Sequence, residues 1–163
     1  MRLDVKRIIN TPGGRIDFRF EEDLSDVDFG GVCPASAPVL VVGQVSNTAG
    51  MLRLCFTLST VLALVCDRCG RPFEREFLLS VERLVAESLE NEEDDDILLL
   101  DNDALDLSEL TRETFILNMP TKTLCTEDCK GLCSGCGANL NVEPCRCKKE
   151  IDPRLAKLAK LLE

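Results

Sequence analysis

Any chemistry in this chain of 163 residues must rest on cysteine, because ten Cys are present and there is no His. Eight of the ten fall in Cys66-x2-Cys69 and in Cys125-x3-Cys129-x3-Cys133-x2-Cys136-x8-Cys145-x-Cys147. A C-x2-C spacing lets one tight turn present two thiolates. Four thiolates make a closed tetrahedral shell for Zn2+, which binds sulfur at about 2.3 Å and has no redox requirement. Gly70 and Gly137 directly follow the second Cys of their pairs, where a knuckle turn calls for a positive φ. Eight sulfurs supply two such shells. Short loop closure favours Cys133, Cys136, Cys145 and Cys147 as a local set. Cys66 and Cys69 are then left to meet Cys125 and Cys129, so that one Zn2+ clasps the tail to the preceding domain and contributes to its stability.

Rival readings of the cysteines fit less well. An iron–sulfur cluster also takes four thiolates, but the spacing matches neither the C-x2-C-x2-C-x3-C run nor the plant-type run. A redox dithiol needs a thioredoxin-like βαβ setting, whereas Cys66 follows a long strand. Cys55 sits among apolar neighbours and reads as a small buried hydrophobe, and Cys33 lies in a loop beside Pro34. Without His there is no Ser-His-Asp triad and no Cys-His dyad, and neither a P-loop nor a dinucleotide-binding glycine motif occurs. The acidic run ENEEDDD at 90–96 lacks the central Gly and the alternating ligands of a calcium loop and reads as an exposed loop. These absences predict a non-enzymatic protein with no small-molecule substrate.

The elements that must position the cysteines read as an α+β fold. RLDVKRI, RIDFRFE, APVLVVGQV, MLRLCFTLSTVLALVC and EFLLSVERLVAE have strand character and are separated by Gly or Pro breaks, which predicts a twisted antiparallel sheet or partly open barrel. In the long fourth segment Leu52, Leu54, Phe56 and Leu58 alternate, and then Val61, Ala63 and Val65, so the phase slips near Ser59 and Thr60 and predicts a bulge or bend. Asp106 and Glu109 have capping-box spacing ahead of a helix from about Leu107 to Asn118, stopped by Pro120 and packed on the sheet. Asp152, Pro153 and the Leu155, Leu158, Ala159, Leu162 stripe predict a C-terminal helix covering the metal module. The expected division is a β-rich domain over 1–120 and a Cys-rich module with its helix over 121–163.

Charge bounds the partners. The net charge of -10 is uneven, with 11 Lys+Arg against 23 Asp+Glu in residues 1–119 and 8 against 6 in residues 120–163. Only the tail can approach phosphate comfortably. No Trp or Tyr is present to stack bases, so nucleic-acid contact would rest on charge and shape. The longest apolar stretches are too short to span a bilayer, and MRLDVKRIIN does not read as a signal peptide. A cytoplasmic protein with reduced thiols and no membrane partner is expected.

VCDRCGRPFEREF at 65–77, DNDALDLSELTRETFILNMP at 101–120 and LCTEDCKGLCSGCGANLNVEPCRC at 124–147 together resemble the YceD-like family, the large ribosomal RNA subunit accumulation proteins. The resemblance runs over essentially the whole chain. It implies a role in 23S ribosomal RNA accumulation and large-subunit biogenesis, through ribosomal RNA or a pre-50S particle. Shorter members keep counterparts of Cys66, Cys69, Cys125 and Cys129 but lack the rest of the tail, which implies that the second Cys set is an added module. Candidate RNA contacts are Arg68, Arg71 and Arg75 on or near the first knuckle, and Lys130, Arg146, Lys148 and Lys149 on the second module. The alternative is an adaptor whose acidic surface holds a basic ribosomal protein while zinc only shapes the tail.

Overall fold

The computed structural model describes residues 1–29, 31–87 and 97–147. The ENEEDDD run, the expected C-terminal helix, Lys148 and Lys149 lie outside the described residues. The chain divides into two compact units, one formed by Met1–Leu64 with Pro72–Thr121 and the other by Val65–Arg71 with Lys122–Glu163. The first knuckle therefore groups with the Cys-rich segment and not with the sheet.

The first unit is α+β. Its elements are β1 (Arg2–Asp4), α1 (Lys6–Ile9), β2 (Arg15–Glu22), β3 (Val39–Thr48), β4 (Met51–Val65), β5 (Pro72–Ala86), β6 (Ile97–Leu99), β7 (Ala104–Asp106) and α2 (Leu107–Leu117). An open five-stranded sheet has the order β2-β3-β4-β5-β6, and β1 pairs with β7 as a separate ribbon. β2–β3 and β3–β4 are antiparallel, as the strand pattern predicts. β6 departs from it, pairing parallel to β5 with Leu84 opposite Ile97. Ten residues separate Ala86 from Ile97, so no two-residue hairpin turn imposes antiparallel pairing.

Alternation sets the core. Phe18 on β2, Val39, Val41 and Val45 on β3, and Leu52, Leu54, Phe56 and Leu58 on β4 are all buried. The expected phase slip in β4 does not occur: Leu62 and Leu64 continue the buried series, while Val61 and Val65 are exposed. The irregularity lies in the facing chain instead. Pairing jumps from Leu40 opposite Ser59 to Ala35 opposite Leu62, so the residues around Pro38 loop out and β4 keeps its phase. Pro38 has no N–H to give the ladder, which fits the break there.

The opening segment also differs from expectation, since only Arg2–Asp4 is strand. The Asp4 carboxylate accepts the Lys6 N–H at 2.9 Å, and the Ile8 and Ile9 N–H groups turn back to the Val5 carbonyl. Burial of Val5 and Ile8 outweighs the β preference of the sequence. The buried Asn47 side chain ties this turn to the sheet. Its Nδ2 donates to the Ile8 and Ile9 carbonyls at 2.7 Å each, and its Oδ1 accepts the Gly50 N–H at 2.9 Å.

Helix α2 starts as its sequence predicts, with the Asp106 carboxylate accepting the Ser108 and Glu109 N–H groups. Phe115 is fully buried, edge-on to Phe29 and to Phe77 of β5, so the helix packs on the sheet. Leu117 and Ile116 are exposed, and Thr111 and Thr114 join Leu107 and Phe115 on the buried face.

Gly43 on β3 sits opposite both Phe18 and Phe56. A Cβ there would lie 2.5 Å from the Phe56 Cβ and from the Cys55 carbonyl oxygen. Gly43→Ala is therefore expected to lower stability by about 2 kcal/mol through overpacking. Urea unfolding of the full-length chain, followed by far-UV circular dichroism, measures the loss.

Candidate metal centres

The second unit is built on two turns of the same design. In CDRCGR the Gly70 N–H donates to the Cys66 carbonyl at 2.9 Å, and the Cys66 N–H donates to the Arg71 carbonyl at 3.0 Å. In CSGCGA the Gly137 N–H donates to the Cys133 carbonyl at 2.9 Å, and the Cys133 N–H to the Ala138 carbonyl at 2.8 Å. Gly70 and Gly137 have φ of 68° and 72°, the left-handed conformation that closes each knuckle without a Cβ clash. The common sequence thus gives a common geometry, with two sulfurs on one side of each turn.

Thr123 brings the next two cysteines to the first knuckle. Its carbonyl accepts the Asp67 N–H at 2.9 Å, its N–H donates to the Asp67 carboxylate at 2.6 Å, and its hydroxyl donates to the Val65 carbonyl at 2.8 Å. The Thr123 N–H also holds the Asp67 carboxyl below the usual carboxylate range. The Sγ atoms of Cys66, Cys69, Cys125 and Cys129 then lie within 4.8 Å of one another. Cys66 to Cys129 and Cys69 to Cys125 are each 3.7 Å apart. Cys133, Cys136, Cys145 and Cys147 form a second group within the same limit, with Cys133 3.2 Å from Cys145 and 3.8 Å from Cys147. A tetrahedron of sulfurs at the usual zinc distance has edges of about 3.8 Å. The donor sets fit a thiophilic divalent ion, and either set of four could hold a metal ion.

Ionisation within each set is divided. Backbone hydrogen bonding from Cys125, helped by Cys69 and Arg68, outweighs burial and draws the Cys66 thiol down to about 6. At Cys69 the bond from Arg71 is overcome by burial and by the adjoining thiols, which push it up to about 11. In the other set, backbone bonds from Cys136 and Gly135 bring Cys133 to about 6, while Cys136, Cys145 and Cys133 push Cys147 to about 12. Thiols this close resist ionising together, and a divalent cation among them relieves that repulsion.

The two sets differ in exposure. Cys66, Cys69 and Cys129 are buried and Cys125 is half-buried, whereas Cys136, Cys145 and Cys147 are exposed. Gly135 shows how tight the second set is, since a Cβ there would lie 2.8 Å from the Cys147 sulfur. Cys33 is exposed. Cys55, expected to be buried, is half-buried because it projects from the face of β4 opposite to its core-facing neighbours Leu54 and Phe56.

The candidate RNA contacts have varied surroundings. Arg68 donates from Nη1 to the Cys129 carbonyl at 2.7 Å, which gives it a role inside the knuckle. Arg146 is paired with Glu143 at 2.8 Å. Lys130 and Arg71 are exposed. Arg75 lies on β5 in the first unit, 5.4 Å above the Phe73 ring. Asn141 was not evident from the cysteine spacing: its side chain donates to the Cys129 sulfur at 3.3 Å. Only the N-x-N pattern of Asn139 and Asn141 in the loop between Cys136 and Cys145 hints at such a bond.

With this geometry, the chain belongs to the family described as large ribosomal RNA subunit accumulation protein YceD, whose model matches residues 54–162 and so spans all eight clustered cysteines. It is 26% identical to an uncharacterized protein of Mycobacterium tuberculosis over 99% of this chain and 81% of that one. It is 30% identical to the uncharacterized protein YlbN of Bacillus subtilis over 78% of this chain and 76% of the relative. The maize large ribosomal RNA subunit accumulation protein YCED homolog 1, chloroplastic, is 31% identical over 68% of this chain and 49% of its own length. No solved structure matches the protein. Among the described residues no helix is long and apolar enough to cross a membrane.

Cys33 is exposed and lies outside both sets of four. Brief alkylation of the purified chain is expected to modify Cys33 first, and the exposed Cys136, Cys145 and Cys147 only after a chelator is added. Peptide mass spectrometry over a time course reads this order directly.

Proposed function

We propose that this protein is a non-enzymatic, zinc-binding factor for 23S ribosomal RNA accumulation and large-subunit biogenesis, acting in the cytoplasm on ribosomal RNA or a pre-50S particle. The observation that carries the reading is the pair of four-thiol clusters in a chain whose family is named for large ribosomal RNA subunit accumulation. Cys66, Cys69, Cys125 and Cys129 hold one Zn2+, and Cys133, Cys136, Cys145 and Cys147 hold the other. A shell of four thiolates leaves no open position for water or substrate, so the metal's work is structural. It fixes the turns that carry Arg71, Lys130 and Arg146, and these, with Lys148 and Lys149, supply the contacts to phosphate.

A second reading is favoured by the distribution of charge. The first unit carries 9 Lys+Arg against 22 Asp+Glu, a surplus suited to a basic ribosomal protein. Here the first unit binds the partner and zinc only maintains the second.

Metal analysis of the purified full-length protein is expected to give about two Zn2+ per chain, falling to about one in Cys66→Ser. Less than one equivalent in a fully folded chain with free thiols would sink the proposal. Charge reversal at Lys130, Arg146, Lys148 and Lys149 is expected to weaken a salt-sensitive association with pre-50S particles. Unchanged association after that reversal, together with capture of a basic protein that survives nuclease treatment, moves the assignment to the second reading.

A further inference from the structure

The loop between Cys136 and Cys145 belongs by sequence to the second sulfur set, yet one of its side chains ends on a sulfur of the first. The Asn141 Nδ2 donates to the Cys129 Sγ at 3.3 Å and to the Asn139 Oδ1 at 2.9 Å. The Asn141 Oδ1 accepts the Lys130 N–H at 2.8 Å, directly beside Cys129. The Leu140 N–H donates to the Gly131 carbonyl at 2.9 Å and joins the same two segments again, while the Leu132 N–H donates to the Arg68 carbonyl at 3.0 Å and joins the Cys129 segment to the first knuckle. Gly131, with φ of 75°, permits this approach, since a Cβ there would lie 3.0 Å from the Arg68 carbonyl oxygen.

We infer that Asn141 couples the two metal centres, so that filling the exposed Cys133, Cys136, Cys145 and Cys147 set tightens metal binding at the Cys66, Cys69, Cys125 and Cys129 set. The inference rests on the zinc reading above and adds a positioning residue to it. Four thiolates around one Zn2+ carry a net charge of about -2, so a fixed N–H aimed at one sulfur stabilises the loaded state. Asn141 lies four residues before Cys145 and five after Cys136, and closing the shell that contains those two cysteines orders the loop. Part of the entropy of fixing the Asn141 amide against Cys129 has then already been spent. The first centre gains that difference in affinity, and by linkage the second gains the same factor when the first is filled.

The roles of Asn141 can be separated by two substitutions. Asn141→Ala removes both the donor to sulfur and the acceptor for the Lys130 N–H. Asn141→Asp keeps that acceptor and replaces the donor by a carboxylate oxygen facing the thiolate. Loss of the N–H···S bond therefore shows in both variants and is the greater in Asn141→Asp, which sets a charge against the thiolate, whereas loss of the acceptor for the Lys130 N–H shows in Asn141→Ala alone.

The test titrates Zn2+ into the full-length, reduced chain against a chromophoric chelator, in four proteins: unaltered, Asn141→Ala, Cys145→Ser/Cys147→Ser, and the combination of these changes. A parallel Co2+ titration follows the thiolate-to-metal absorption, and Asn141→Asp is measured alongside. Removing the second set by Cys145→Ser/Cys147→Ser is expected to weaken the remaining centre about tenfold when Asn141 is present, and less than about twofold when it is already Ala. Asn141→Asp is expected to weaken the first centre at least as much as Asn141→Ala. Equal affinity of the first centre in all four proteins, with two ions still bound by the unaltered chain, overturns the coupling and leaves the zinc reading standing. Failure of the unaltered chain to bind two ions overturns both.

Discussion

Four sulfurs held within 4.8 Å of one another are an unfavourable arrangement unless something positive sits among them, and the second unit depends on it. The buried described residues of that unit are Cys66, Cys69, Cys129 and Gly131. Among the described residues no cluster of Leu, Val or Phe stands behind them, as one does in the first unit. A segment this short cannot gain enough from apolar burial to fix its backbone, and small domains of this kind usually need a metal or a covalent staple. The cysteines therefore take the place of a core. Each knuckle supports them with the same pair of backbone hydrogen bonds, and the free energy of metal binding becomes the free energy of folding.

The first unit answers a different problem. Its sheet buries one face of β2, β3 and β4 in strict alternation, and the places where it breaks a rule have specific causes. Gly43 lacks a side chain because Phe18 and Phe56 occupy the space from either side. Asn47 is polar and buried because two helix-end carbonyls and one turn N–H need partners. In sequence the first knuckle is the six-residue link from β4 to β5, so the link between two fifteen-residue strands supplies two of the sulfurs.

Much of this was legible in the sequence, for physical reasons that can be named. Cysteine spacing is a local signal, so the two knuckles and their glycines could be read directly. The Asp106 cap and the helix after it were equally local. What escaped were properties set by distant chain. Leu62 and Leu64, not Val61 and Val65, face the core of β4, because the interruption belongs to the partner chain near Pro38, and a one-strand reading cannot see its partner. The helical turn after Asp4 was likewise decided by tertiary burial, and the three-residue β6 is too short to carry a pattern that gives its direction. Arg68 reads as a free cation in a list of charges, yet its guanidinium is engaged by the Cys129 carbonyl. Asn141 carried no signal in the cysteine pattern, because a hydrogen bond to sulfur has no fixed offset along the chain.

On the proposed reading, bound metal also changes what the second unit can attract. Its formal charge is +3 when every thiol is protonated, from 10 Lys+Arg against 7 Asp+Glu. Two Zn2+ with eight thiolates add about -4, which leaves the loaded unit slightly negative. Recognition of a phosphate backbone by this unit cannot then rest on net charge. On that reading it rests on a few exposed cations, such as Arg71 and Lys130. Such a surface loses most of the long-range attraction that drives non-specific binding, while its short-range contacts remain. With zinc bound as proposed, the thiolate charge around each Zn2+ discourages indiscriminate binding to RNA and favours selection by shape at a structured site over selection by charge.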